Sequence, residues 1–137
     1  HPEHAVEYSG ISGQITHGDK KAYDCCRYYG ALIVAAMQNE SKEDLLNDEF
    51  YVKHQDWFNG KSLDPGVMEI AKGSYKRKGG YNDGIRGKGY IVNALEAALW
   101  AFWSDKDSFE TGALAAVNLG DDTDTTAAID GQLAGAY

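Results

Sequence analysis

The stretch DKKAYDCCRYYGALIVAAMQ, residues 19–38, decides the fold class. Small and apolar side chains recur in it at spacings of three and four residues, which is the repeat of a helix that buries one face. The repeat consists of Ala22, Cys25, Cys26, Tyr29, Leu32, Ile33 and Ala36. Gly18 and Asp19 directly precede the repeat, and aspartate is favoured at a helix start. The stretch therefore predicts a buried α-helix.

Helical patterns also occur along the rest of the chain. Ser41 and Asp44 have the spacing of a capping box, and Asp64 followed by Pro65 suits the start of another helix. Further helices are predicted within residues 40–57, 63–71 and 91–104. Another is predicted to begin near residue 108, and a last one covers residues 125–137. No run of about four or more residues alternates as a strand does. The prediction is an all-α fold in a single domain spanning residues 1–137.

Composition and charge disfavour several classes of function. The 137 residues include 13 basic and 21 acidic ones, and the net charge of -8 repels nucleic acid. No segment approaches the roughly 20 apolar residues that cross a bilayer. The two cysteines, Cys25 and Cys26, are adjacent, which is poor geometry for a framework disulfide. We therefore expect a cytoplasmic protein with reduced thiols that binds neither nucleic acid nor membranes.

One segment reverses the acidic balance. The sequence KGSYKRKGGYNDGIRGK, residues 72–88, contains six basic residues and five glycines without apolar periodicity, and it predicts an irregular surface loop. Lys76, Arg77 and Lys78 are placed to contact a pyrophosphate or an acidic protein substrate. Such charges are also common on loops whose only partner is water, and the residues alone leave these alternatives open.

The sequence GDDTDTT, residues 120–126, concentrates acidic and hydroxyl side chains. Asp122 and Asp124 have the i, i+2 spacing with which two carboxylates converge on a hard cation, and Thr125 follows them. The same residues suit the start of a helix, because Asp124 or Thr123 would cap it and the other acids would favour its N-terminal end. Spacing alone leaves metal binding and helix capping open.

Three segments, at residues 15–25, 87–102 and 117–137, resemble the ADP-ribosylglycohydrolase family, also called the dinitrogenase reductase-activating glycohydrolase family. The most specific is VNLGDDTDTTAAIDGQLAGAY, residues 117–137, which is similar to the family's closing acid-x-acid-threonine motif and glycine-rich helix. ITHGDKKAYDC, residues 15–25, resembles the family's threonine-histidine segment, and GKGYIVNALEAALWAF, residues 87–102, resembles its substrate-side loop and following helix. The resemblance is to the C-terminal half of the family's fold and covers nearly all of this chain.

The resemblance implies an all-helical enzyme that uses two magnesium ions, or manganese in their place, to hydrolyse ADP-ribosyl linkages. The implied partners are an ADP-ribosylated protein or a small molecule that contains ADP-ribose. Carried over by position, Asp122, Asp124 and Thr125 are the metal ligands of the C-terminal motif. Paired divalent ions of this kind orient ribose hydroxyls and stabilise charge while the bond at the anomeric carbon breaks.

Four further residues match the substrate side of the family. The resemblance implies that His17, at a helix start, contacts the ribose or adenine. It also implies that Gly87, Gly89 and Tyr90 lie near the nucleotide, where glycine permits close backbone approach and the tyrosine ring offers a stacking face. A histidine bonded to backbone, and a flexible loop with Tyr90 anchored in the core, are structural alternatives for the same residues.

The chain departs from the family's pattern in two ways. Asp121 stands where the family has a second glycine. The family's other metal ligands, a threonine followed by two aspartates, and its acidic proton-transfer residue have no counterpart here, so no catalytic residue is assigned. We expect a C-terminal fragment of a larger domain that needs the N-terminal half as its partner and is inactive alone. The alternative is a non-catalytic relative, either crystallin-like or an ADP-ribose-binding protein.

Overall fold

In the computed structural model, the chain folds into two compact units. The first unit is His1–Gly73 and the second is Ser74–Tyr137. All the secondary structure that is described is helical, which confirms the predicted all-α fold class. The backbone is described for residues 1–86, 90–105, 108–119 and 123–137, and the side chains of residues 16, 17, 109 and 123–125 are not described.

Two long helices form the basis of the first unit. Helix α1 (Pro2–His17) packs against helix α2 (Lys20–Met37). Gly18 ends α1 with a φ of 70°, a left-handed conformation that glycine adopts without strain. Asp19 caps α2, because its Oδ1 accepts a hydrogen bond of 2.7 Å from the N–H of Ala22. The predicted start of α2 is therefore confirmed, whereas the apolar patterns of the sequence do not predict α1.

Glycines allow α1 and α2 to approach each other closely. A Cβ atom placed on Gly13 would lie 2.5 Å from Sγ of Cys26, and one placed on Gly30 would lie 2.5 Å from Oγ of Ser9. Both distances are shorter than any ordinary van der Waals contact, so a larger residue at either position would force the neighbouring side chain to move. The close packing of this helix pair therefore depends on the absence of side chains at these two positions.

Short helices complete the first unit. They are α3 (Lys42–Leu45), α4 (Phe50–Lys53), a 3-10 helix (Gln55–Phe58) and α5 (Pro65–Ala71). Ser41 caps α3 as predicted, since its Oγ accepts a hydrogen bond of 3.1 Å from the N–H of Asp44. The prediction of one helix within residues 40–57 is wrong in its continuity. Asn47 breaks it, because its Oδ1 accepts a hydrogen bond of 2.9 Å from the N–H of Glu49 and competes with helical bonding.

A buried ion pair links α2 to the segment that leads into α5. Nη1 of Arg27 lies 2.8 Å from Oδ1 of Asp24, and the two side chains are 1% and 0% exposed. Nη2 of Arg27 donates to the carbonyl oxygens of Phe58 and Lys61 at 2.9 and 3.1 Å. Oδ2 of Asp24 accepts a hydrogen bond of 2.6 Å from the N–H of Asp64. Asp64 in turn caps α5, as predicted, so the ion pair fixes the start of that helix.

Three helices make up most of the second unit. Helices α6 (Ile91–Ser104), α7 (Phe109–Asn118) and α8 (Thr123–Ala136) pack on one another. Oγ of Ser108 accepts a hydrogen bond of 3.3 Å from the N–H of Thr111 and caps α7. The predicted α6 and α7 are therefore confirmed, and α8 begins two residues earlier than predicted. In the parts of the chain that are described, no helix is both long and apolar enough to span a bilayer.

Candidate functional site

The acidic motif lies at the start of α8. Asp124 and Thr125 belong to the first turn of this helix, which begins at Thr123. Asp121 and Asp122 lie outside the described residues, and so do the side chains of residues 123–125. The prediction that Asp124 or Thr123 precedes and caps a helix starting at Thr125 is therefore wrong in its register, since both residues are already helical.

The buried face of α8 carries polar residues just after the motif. Thr126 and Asp130 are 0% and 1% exposed, and their i, i+4 spacing places both on one side of the helix. Asp105, at the C-terminal end of α6, is also buried. A Cβ atom on Gly112 of α7 would lie 3.2 Å from Oδ2 of Asp105 and 3.4 Å from Oδ2 of Asp130. Because Gly112 has no side chain, the carboxylates of Asp105 and Asp130 can lie close to α7. This close contact packs α8, which begins with the motif, against α7.

Sequence reasoning missed Asp105 and Asp130 as buried residues. Asp130 directly precedes Gly131 within the predicted glycine-rich helix, where an acidic residue ordinarily faces water. The available signal was its i, i+4 relation to Thr126, because two polar residues so spaced share one helix face. Leu133 is buried on the same helix, so the buried side of α8 combines polar and apolar residues.

The residues predicted on the substrate side fall in both units. Tyr90 lies at the N-cap position of α6 in the second unit, and 46% of its surface is exposed. Gly87 and Gly89 lie outside the described residues. His17 is the last residue of α1 in the first unit, so its prediction as a residue at a helix start is corrected. The side chain of His17 is not described.

The donor chemistry of the motif suits a hard divalent cation. Carboxylate and hydroxyl oxygens, as offered by Asp122, Asp124 and Thr125, are the ligands that magnesium and manganese prefer. Elsewhere, the described part of the chain contains no group of three or more His, Cys, Asp or Glu side chains able to hold a metal ion. The motif is the candidate metal site that the sequence indicates, and the structure places Asp124 and Thr125 in the first turn of α8.

A comparison with known protein families decides the assignment. The model of the ADP-ribosylglycohydrolase family matches residues 1–137. The chain belongs to this family. The predicted membership of the family is thereby confirmed, and the all-helical structure agrees with it.

Two curated relatives are similar to nearly all of this chain. The ADP-ribosylarginine hydrolase Tri1 of Pseudomonas putida (strain GB-1) is 40% identical over 128 residues. The protein of the same name from Serratia proteamaculans (strain 568) is 35% identical over 128 residues. Each match covers 93% of this chain and 31% of the relative. The chain thus spans about a third of the length of these relatives.

Proposed function

We propose that this chain is part of a magnesium-dependent hydrolase that removes ADP-ribose from arginine side chains of a modified protein. The observation that carries this proposal is the 40% identity, over 93% of the chain, to a protein named as an ADP-ribosylarginine hydrolase. The name of that relative supplies the acceptor, which the sequence of this chain alone leaves open. Small molecules that contain ADP-ribose linked to a guanidinium are substrates of the same chemical class.

We assign the metal ligands of this hydrolase to Asp122, Asp124 and Thr125. The support is the oxygen chemistry of these side chains and the position of the motif at the start of α8. Bound divalent ions supply electrostatic stabilisation of the charge that develops when the bond at the anomeric carbon breaks. Asp124 and Thr125 lie in the first turn of α8, and the later part of this helix is packed in the unit, with Leu133 1% exposed.

We assign contacts with the ADP-ribosyl group to His17, Gly87, Gly89 and Tyr90. Tyr90 supports the assignment, because it directly follows Gly89 in the sequence and about half of its surface is exposed, and a tyrosine ring is a suitable stacking partner. An amide backbone without side chains at Gly87 and Gly89 permits close approach of a pyrophosphate. His17 offers an imidazole at the junction of α1 and α2.

The remaining metal ligands belong, in this proposal, to a polypeptide region outside the 137 residues. The support is that the relatives are about three times as long as the matched segment, and that the sequence has no threonine followed by two aspartates. We propose that the chain is a C-terminal part of a larger domain and is inactive alone. We place the protein in the cytoplasm, because Cys25 and Cys26 are free thiols.

Release of ADP-ribose tests this function. The complete polypeptide is incubated with magnesium and with either ADP-ribosylarginine or ADP-ribosylserine peptide, and free ADP-ribose is measured. We expect turnover of the arginine substrate, little turnover of the serine substrate, and none by residues 1–137 alone. Binding of ADP-ribose without hydrolysis would support the non-catalytic alternative, and robust turnover by residues 1–137 alone would contradict the proposed incomplete site.

A further inference from the structure

The basic segment of the sequence forms an ordered surface in the second unit. Residues 74–86, called the basic loop below, contain four basic side chains and one acidic one, whereas the whole chain has 21 acidic and 13 basic residues. Lys76 and Lys78 are exposed, and Arg77 and Arg86 are partly exposed. Because acidic residues are in excess over the whole chain, most of this protein repels an acidic ligand. The positive charge of the basic loop attracts such a ligand.

Trp100 of α6 anchors the basic loop. Its indole N–H donates a hydrogen bond of 2.8 Å to the carbonyl oxygen of Arg77. The backbone of Gly80 lies directly against the indole ring, since a Cβ atom there would be 2.5 Å from Cζ2 of Trp100. Gly80 also has a φ of 54°, which other residues adopt only with strain. Further along the loop, Ile85 is fully buried and packs with Ala97 of α6.

Hydrogen bonds within the basic loop fix its conformation between these anchors. The loop contains a 3-10 helix at Gly80–Asp83. The carboxylate of Asp83 accepts a hydrogen bond of 2.7 Å from the N–H of Gly79, and the carbonyl oxygen of Asp83 accepts one of 3.0 Å from Nη1 of Arg77. The guanidinium of Arg86 lies 3.7 Å from the ring centroid of Tyr81, whose surface is 49% exposed. The prediction of an irregular surface loop is therefore confirmed for residues 74–86 apart from the short 3-10 helix, and these contacts hold its backbone.

A loop that has more basic than acidic residues and a backbone held by internal contacts is a suitable binding surface. Because the backbone is already fixed, a ligand does not have to meet the conformational entropy cost of ordering it. The exposed lysines, and the stacked pair of Arg86 and Tyr81, offer both charge and a flat apolar face. A nucleic acid has a long charged backbone that would extend beyond the loop and be repelled by the net charge of -8. A polypeptide with carboxylate side chains therefore suits the loop better.

We propose that the basic loop is a docking surface for an acidic segment of the protein that carries the ADP-ribosyl group. The identity of the partner rests on the proposed function, whereas the surface itself rests on the charge and order of the loop. Docking at this surface contributes to the affinity for the modified protein and has no role in the hydrolysis of the linkage.

Binding of an acidic peptide tests the surface without any contribution from the metal motif. Residues 1–137 are titrated, in EDTA, into a fluorescein-labelled peptide of repeating glutamate and serine, and fluorescence anisotropy is measured. We expect binding that weakens as salt rises, because exposed charges are screened beyond about 8 Å at physiological ionic strength. The double variant Lys76→Glu/Lys78→Glu should bind about tenfold more weakly, since each exposed ion pair contributes about 0.2–1 kcal/mol. Lys76→Arg/Lys78→Arg should retain binding.

A matched control separates the loop from net charge. Lys20→Glu/Lys21→Glu makes the same change of charge at exposed residues in the first turn of α2, where acids are tolerated. We expect it to weaken binding by no more than about twofold. Equal losses in both double variants, or no binding by the unmodified chain, would overturn the proposal. It would also be overturned if single-stranded DNA bound more tightly than the peptide and lost its binding in Lys76→Glu/Lys78→Glu.

Kinetics of the complete polypeptide separate failure of the docking surface from failure of the proposed function. We expect Lys76→Glu/Lys78→Glu to raise KM for an acidic ADP-ribosylated protein about tenfold while the hydrolysis of free ADP-ribosylarginine is unchanged. An equal effect on both substrates would overturn docking and indicate contact with the pyrophosphate. If the complete polypeptide hydrolyses neither substrate, the proposed function and the identity of the docked partner both fail, whatever the peptide titration gives.

Discussion

The guanidinium of Arg27 and the carboxylate of Asp24 form an ion pair of 2.8 Å in which both side chains are almost completely buried. Arg27 also donates to the carbonyl oxygens of Phe58 and Lys61, and its guanidinium carbon lies 5.3 Å from the ring centroid of Phe58. One pair thereby holds α2, the 3-10 helix and the start of α5 in place. Its contribution is to the architecture of the first unit.

Removal of one partner of this pair should strongly destabilise the protein. Asp24→Asn leaves the charge of Arg27 buried without its counter-ion, and such a loss costs about 3–5 kcal/mol. The free energy of unfolding in urea measures the effect. Asp44→Asn is the control, because the interactions of this carboxylate are exposed: it accepts a hydrogen bond of 2.8 Å from Oγ of Ser41 and lies 4.0 Å from Nζ of Lys53, and an exposed pair of this kind contributes at most about 1 kcal/mol. Equal effects of the two substitutions would contradict this account of the buried pair.

The contact between α1 and α2 should not tolerate a larger residue at Gly13. In Gly13→Ala the new methyl group meets Sγ of Cys26 at 2.5 Å and the carbonyl oxygen of Ala22 at 3.0 Å. Overpacking of this kind costs about 1–3 kcal/mol in the free energy of unfolding. Gly135→Ala in α8 is the matched control, because nothing lies within 4 Å of the added Cβ atom and alanine is the better helix former. A stable Gly13→Ala variant would show that the helices are less closely packed than described.

The thiol of Cys25 predicts a loss of stability at alkaline pH. Burial, assisted by the charges of Cys26 and Asp24, raises the pKa of this thiol from 9.0 to about 12. The folded state therefore holds the proton more tightly than the unfolded state, and the resulting stability is present below pH 9 and lost as pH rises towards 12. At about 1.36 kcal/mol per pH unit, roughly 2 kcal/mol is lost by pH 10.5.

Unfolding in urea at pH values from about 8 to about 10.5 measures this term. The free energy of unfolding of Cys25→Ala should fall less steeply with pH than that of the unmodified protein, whatever its value at neutral pH. Parallel pH profiles for the two proteins would contradict the raised pKa of the thiol.

The anchoring of the basic loop by Trp100 should be visible in proteolysis. Trp100→Phe removes one of two donors to the carbonyl oxygen of Arg77, which also accepts a hydrogen bond of 3.1 Å from the N–H of Gly80, and the loss of one hydrogen bond costs about 0.5–1.5 kcal/mol. Cleavage by trypsin after Lys76, Arg77 and Lys78 requires local opening of the loop, so it should accelerate about two- to tenfold. Trp103→Phe, on the same helix, is the control. Equal rates in the two variants would contradict an anchored loop.

Helices whose buried face is apolar could be predicted from the sequence. Periodic apolar residues together with Asp19 or Asp64 at the cap position fix the starts of α2 and α5, and α6 follows from its apolar stripe. The family could be recognised because its motifs are short and specific and occur in the same order in this sequence. The match of the family model to residues 1–137 confirms the family.

Helix α1 could not be predicted, because its pattern is inverted. It buries Val6, Gly10 and Gly13, whereas Tyr8 and Ile15 are 70% and 80% exposed. A search for an apolar stripe therefore points to the wrong face. The break within residues 40–57 depends on one side-chain hydrogen bond of Asn47, which has no periodic signature.

The burial of two aspartates near the candidate site could not be predicted from the sequence either. Asp105 and Asp130 are 2% and 1% exposed, although acidic residues ordinarily lie at the surface. Their burial results from tertiary packing around Gly112, where three segments meet. The i, i+4 spacing of Thr126 and Asp130 indicates only that they share one side of α8, so the structure was needed to place Asp105 and Gly112 beside Asp130.

The dependence of ADP-ribose release on magnesium, measured for the complete polypeptide and its Asp122→Asn and Asp124→Asn variants, tests the proposed metal site most directly. ADP-ribosylarginine is the substrate, and Asp56→Asn, at an exposed residue of the first unit, is the control. We predict that each variant of the motif loses activity about 100-fold or more, since even residues that only support a metal ligand contribute about 10–100-fold, and that the control remains active. Unchanged rates in both motif variants at every magnesium concentration would contradict the assignment of these carboxylates as metal ligands.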